Sequence, residues 1–152
     1  MSKFRKIIFL DEGNTILSPL AEGLMRLKLA KRGKSDIQVA SRGSVVLFPE
    51  PVNPKIVEIA QIHGIHLLNY KAREIKESDF SESTLILTMD EMDKNRLYQK
   101  YKSAVNVFSI KSYLEKQGDL FPPIGGSIEE YANVCRELDL LLESLAEKEI
   151  DS

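Results

Sequence analysis

Four short apolar runs punctuate the chain: KIIFL (6–10), IQVAS (37–41), TLILTM (84–89) and AVNVFSI (104–110). Runs of this length, rich in β-branched residues and bounded by polar ones, predict buried strands. Apolar residues recur instead at helical spacing over 18–31, 53–63, 91–100 and 128 to about 146, the last placing Leu138, Leu141, Leu142 and Leu145 on one stripe. Strand and helix alternate, which predicts a three-layer α/β fold: a doubly wound sheet of four parallel strands with helices on both faces. No repeat, low-complexity tract or linker breaks the pattern, so residues 1–152 are expected to form a single domain. Only VLFPEPVNP (46–54) and GDLFPPIGGS (118–127) are dense in loop-forming residues, and both are expected near the edges of the sheet.

Composition narrows the partners more than the chemistry. With 152 residues, 43% of them hydrophobic, the chain can bury roughly 70% of its unfolded surface. Twenty-one Lys and Arg against 23 Asp and Glu leave a net charge of -2 without a basic stripe, which argues against nucleic acid. A lone cysteine, Cys135, cannot form an internal disulfide; no apolar run approaches a membrane span, and the opening residues turn polar too soon for a signal peptide. A cytoplasmic monomer or weak homodimer is expected, with no membrane partner.

Ligands of doubly wound sheets settle beyond the carboxyl ends of the strands, where the strand order reverses. The first candidate is therefore the turn after strand one, DEGNTILSP (11–19). Gly13 frees the backbone, Asn14 tolerates the left-handed region, and Ser18 before Pro19 predicts an N-cap with proline at the first helical position. Such a turn aims amide groups inward, as phosphate-binding loops do. Yet it carries two acids, Asp11 and Glu12, and no basic residue.

DEGNTILSPLAEGL resembles the phosphate-binding loop of low molecular weight protein tyrosine phosphatases, Cys-x-Gly-Asn-x-Cys-Arg-Ser-Pro-x-Ala-Glu, with Gly13, Asn14, Ser18, Pro19, Ala21 and Glu22 matching. The resemblance continues in register through ASRGS (40–44), HGIHLLNYKAR (63–73), LILTMDEMDKNRL (85–97) and PPIGGSIEEYANV (122–134). It implies a flavodoxin-like strand order and no cofactor or metal. The departures fall on the chemistry. The family's nucleophilic cysteine corresponds to Asp11, the arginine that forks onto the phosphoryl oxygens to Leu17, and the general-acid aspartate to Pro122. The loop's second cysteine corresponds to Ile16, the histidine that braces the loop asparagine to Tyr70, and the asparagine after Met-Asp to Asp93. The retained Gly13, Asn14, Ser18 and Ser41 match the scaffold that props the loop open. A carboxylate at Asp11, about 4 Å from a phosphoryl group, would repel it by ~4 kcal/mol per charge pair at an effective dielectric near 20. The resemblance thus implies a catalytically inactive homologue, a pseudophosphatase serving as a binding or regulatory module for an unknown protein partner, with Asp11 as the anion that the cradle holds. Amide donors are expected to lower the pKa of Asp11.

Two other chemistries stay open. Asp11 could act as a nucleophile with magnesium held by Glu12 and Asp90, or the chain could be a receiver-like phospho-acceptor using Ser109 and Lys111. Further candidates have plain readings: Asp119 as a displaced acid or a turn residue, His63 and His66 as groups at a helix end, Cys135 as a buried apolar residue, Lys71 and Arg73 as structural, and Arg42 as a solvated loop arginine. Val46, Leu47 and Phe48 offer either a partner surface or side chains tucked onto the core.

Overall fold

The computed structural model describes residues 3–151. Strands β1 (Lys6–Asp11), β2 (Gln38–Gly43), β3 (Thr84–Thr88) and β4 (Val107–Ser109) form one parallel sheet in the order β2-β1-β3-β4. This is the four-stranded doubly wound architecture that the alternation of strand and helix patterns predicts. Because β1 is central and covered on both faces, Ile7, Ile8, Phe9 and Leu10 are all fully buried and show no polar alternation.

The two faces are distinct. Ile7 and Phe9 join Leu85 and Leu87 against helices α1 (Leu17–Lys31), α2 (Pro54–Ile62) and α5 (Ile128–Asp151), where Leu138, Leu142 and Leu145 are fully buried. On the opposite face Ile8, Leu10 and Ile86 pack with Leu97 of α3 (Glu91–Lys100) and with Tyr101. The order reverses between β1 and β3, so the turn after β1 opens at the switch point where such sheets bind ligands.

Several boundaries differ from the pattern, each for a local reason. Strand β4 covers three residues rather than 104–110, because Asn106 is left-handed at φ 56° and the chain turns at Ile110 into a short helix, α4 (Ile110–Tyr113). Strand β2 runs past Ser41 to Gly43, whose N–H donates to the Arg73 carbonyl at 2.8 Å and whose carbonyl accepts from Ile75 N–H at 2.9 Å. Helix α1 begins at Leu17. Ser18 and Pro19 therefore lie inside its first turn, and the expected Ser18 N-cap is replaced by Ile16, which has no side chain to cap with. Helix α2 is capped by Asn53, whose Oδ1 accepts from Lys55 N–H at 2.9 Å.

Candidate functional site

Helix α1 takes its cap from the end of the preceding strand. The Asp11 carboxylate turns inward: Oδ2 accepts from Leu17 N–H at 2.9 Å and Ser18 N–H at 3.1 Å, while Oδ1 accepts from Asn14 N–H at 2.6 Å and the Ser18 hydroxyl at 2.8 Å. Three loop amides and one hydroxyl thus converge on one anion at the positive end of a helix, the electrostatic arrangement of a phosphate cradle. The residue as a whole is half-buried. Burial pushes the Asp11 carboxyl above its ordinary value, and the bonds from Ser18, Asn14 and Leu17 pull it back without cancelling that push. The lowered pKa expected from the donors alone is overturned, because desolvation outweighs them.

Asn14 is the hub behind the cradle. It is fully buried and left-handed at φ 58°; its Nδ2 donates to Ser18 Oγ at 2.9 Å and Ser41 Oγ at 3.1 Å, and its Oδ1 accepts from Arg73 N–H at 2.9 Å. Ser41 hands its proton to Glu22 Oε1 at 2.9 Å, and Arg26 closes the chain on Glu22 at 2.8 Å. Tyr70 stands where the resemblance places a histidine. Its hydroxyl reaches Asn14 Oδ1 at 3.2 Å and also contacts Ser41 Oγ, so a phenol braces the loop asparagine. Burial raises the Tyr70 pKa, keeping it a donor.

A close approach absent from the sequence reading completes the shell. A Cβ on Gly43 would sit 2.9 Å from the Glu12 carbonyl oxygen and 3.0 Å from Asn14 N, so only glycine lets the end of β2 lie against the turn. Leu17 and Pro122 occupy the remaining positions of interest: Leu17 is buried in the core and Pro122 is half-buried in the loop before α5.

The acids around the turn have separate duties. Asp90 Oδ1 caps α3 by accepting from Asp93 N–H at 2.7 Å, and Asp119 Oδ1 accepts from Glu91 N–H at 3.2 Å at the same helix start, a cap rather than a displaced acid. Glu12 is exposed and pairs with Arg96 at 3.6 Å. Among the described residues no three His, Cys, Asp or Glu side chains stand at metal-binding spacing. Asp93 is buried, with Ser44 Oγ and Arg96 each 3.4 Å away; burial first, then Asp90, Glu12 and Asp11, push its carboxyl up to about 6. The receiver-like pair separates: the Ser109 hydroxyl donates to Glu91 at 2.9 Å, whereas Lys111 bonds Glu137 of α5 at 2.7 Å. Arg42 is no solvated loop residue, since its side chain is 13% exposed, lies 3.6 Å from Asp79 and donates to the Ser41 carbonyl at 2.7 Å. Cys135 is buried and its thiol is pushed up to about 11, which makes it inert at neutral pH. His63 is the C-cap residue of α2, and both His63 and His66 are exposed.

An α/β sheet with a helix terminus opening at its switch point defines a doubly wound, ligand-binding class of fold, and comparison with known proteins narrows it. The family described as low molecular weight phosphotyrosine protein phosphatase matches residues 6–152, and the chain belongs to that family. It is 31% identical to the low molecular weight protein-tyrosine-phosphatase PtpB of Staphylococcus haemolyticus over 92% of this chain and 96% of that one. It is also 31% identical to the protein-arginine-phosphatase of Bacillus subtilis, over 93% and 95% respectively. Among solved structures, a low molecular weight protein tyrosine phosphatase from T. tengcongensis superposes with a TM-score of 0.86 at 31% identity, covering 94% of this chain and 98% of that one. A mutant of YwlE from Bacillus subtilis gives 0.88 at 30%, covering 97% and 99%. No helix among the described residues is long and apolar enough to cross a membrane.

Proposed function

We propose that this chain is a catalytically silent member of its family, a pseudophosphatase whose cradle is filled by its own carboxylate. The observation that carries the reading is the convergence of Asn14 N–H, Leu17 N–H, Ser18 N–H and Ser18 Oγ on the two oxygens of Asp11. Those donors are the ones a phosphoryl group would need, and the lone pairs of Asp11 are engaged by them rather than aimed at a substrate. The residues around it agree. Leu17 offers neither charge nor donor for a transition-state oxyanion, and Pro122 has no proton to give a leaving group. Losing an arginine fork alone removes roughly 1.5–3 kcal/mol per charge-assisted bond.

Purified protein is expected to show no turnover of p-nitrophenyl phosphate, phosphotyrosine peptide or phosphoarginine, with or without magnesium. Turnover that disappears in an Asp11→Ala variant would overturn the silent reading, and turnover requiring magnesium would give Asp11 the role of nucleophile.

A further inference from the structure

A cavity of about 400 Å³ lies between the loop after β2 and the 72–76 segment, with walls of opposite character. Leu47 and Phe48 supply an apolar side and are 88% and 61% exposed. Arg42, Arg73 and Lys76 bring three cations against a single acid, Glu74. Glu74 is engaged, its Oε1 accepting from Val46 N–H at 2.9 Å, and Arg42 is engaged by Asp79. Arg73 is held through its backbone, donating to Asn14 and accepting from Gly43, so its position is fixed while its guanidinium has no ion pair among the described residues. The Lys76 ammonium has none either.

Two unpartnered cations beside two exposed apolar side chains, on a chain of net charge -2, form a local complement to a surface both acidic and apolar. We propose that this cavity docks an acidic protein segment, an extended stretch in which a hydrophobic side chain sits next to one or two Asp or Glu residues. A free inorganic anion would use the cations and leave Leu47 and Phe48 in water. A peptide of this kind uses both walls, and the cavity lies within the roughly 300–1,000 Å³ of ligand pockets. The cations project from a segment whose backbone buttresses the Asp11 cradle, but docking does not engage the cradle itself, so the inference stands whether or not the chain hydrolyses phosphate.

Panning a random dodecapeptide display library on the full chain tests it, followed by anisotropy titration of a synthetic peptide with the enriched sequence. The enriched sequences are expected to pair acidic with hydrophobic residues. Arg73→Glu with Lys76→Glu, and separately Leu47→Ser with Phe48→Ser, should each weaken the peptide at least ~10-fold, and affinity should fall as salt is raised from about 50 to about 300 mM. All four side chains are exposed, so the variants should keep the parent's unfolding midpoint; should the reversal disturb folding, Arg73→Gln with Lys76→Gln makes the same comparison. A library with no enrichment, enriched sequences without acids, or affinity indifferent to the charge reversal would overturn the proposal. Displacement of the peptide by inorganic phosphate as effectively as by the unlabelled peptide would assign the cavity to a free anion and overturn it equally.

Discussion

Asp93 sits where the family's asparagine would, and the exchange puts a carboxyl in a buried site already ringed by Asp90, Glu12 and Asp11. Its pKa, pushed up to about 6, lies above the roughly 3.9 of an unfolded aspartate, so the native state binds the extra proton across the window between them. The stability this group contributes is fully present below the unfolded value and is lost as pH rises through about 6, and Asp11, raised for the same reason, acts in the same direction. The protein is therefore expected to be more stable at pH 5 than at pH 7.5. Asp93→Asn should flatten that dependence and raise stability at pH 7.5, read as urea midpoints at the two pH values. A variant with the parent's slope would show that Asp93 is solvated in the folded state. Asp11→Asn has the opposite consequence for geometry. Whichever oxygen becomes NH₂ then faces a backbone N–H, which strands a buried donor at a cost of about 1–3 kcal/mol.

The elements were legible in the sequence wherever a run of apolar residues decided the matter. Ile7 to Leu10 and Thr84 to Thr88 read as buried strands and are found as such, and the leucine stripe of α5 reads as a helix and packs into the core. What escaped were contacts set by tertiary approach. The start of α1 was misplaced because its capping carboxylate comes from Asp11, six positions before Leu17 and on another element, where no local cap signal exists. Gly43 carries no sequence mark of its closeness to the turn, and Arg42 reads as a loop residue until Asp79 of the 3₁₀ turn Glu77–Asp79 is brought beside it. Tyr70 could be named as a departure, but its reach to Asn14 needed the fold. Two variants test these joints. Tyr70→Phe should cost about 1 kcal/mol by leaving Asn14 Oδ1 with Arg73 N–H alone, measured by chemical denaturation. Gly43→Ala should cost roughly 1–3 kcal/mol, because its methyl group meets main-chain atoms that cannot rotate away; an unchanged midpoint would mean that β2 and the turn separate freely.

At the scale of the whole molecule, the family's frame is in place. The sheet order, the Asn14 hub and the Ser18–Ser41 props remain in place, while the groups at Asp11, Leu17 and Pro122 differ from those the family motif carries. A frame this intact is expected to accept the missing groups. Asp11→Cys with Leu17→Arg should bind vanadate in a calorimeter where the parent does not. Adding Pro122→Asp should then raise hydrolysis of p-nitrophenyl phosphate by about 10²–10⁴ over the double variant, the usual yield of a general acid. A folded double variant with no anion affinity would place the loss in the frame rather than in the three side chains.

A carboxylate that belongs to the chain it caps has no dissociation constant in the ordinary sense. A group tethered within one molecule meets its donors without the translational entropy that a solute must give up on binding. The cap on the first turn of α1 accordingly arrives with every copy of the protein, and dilution does not remove it.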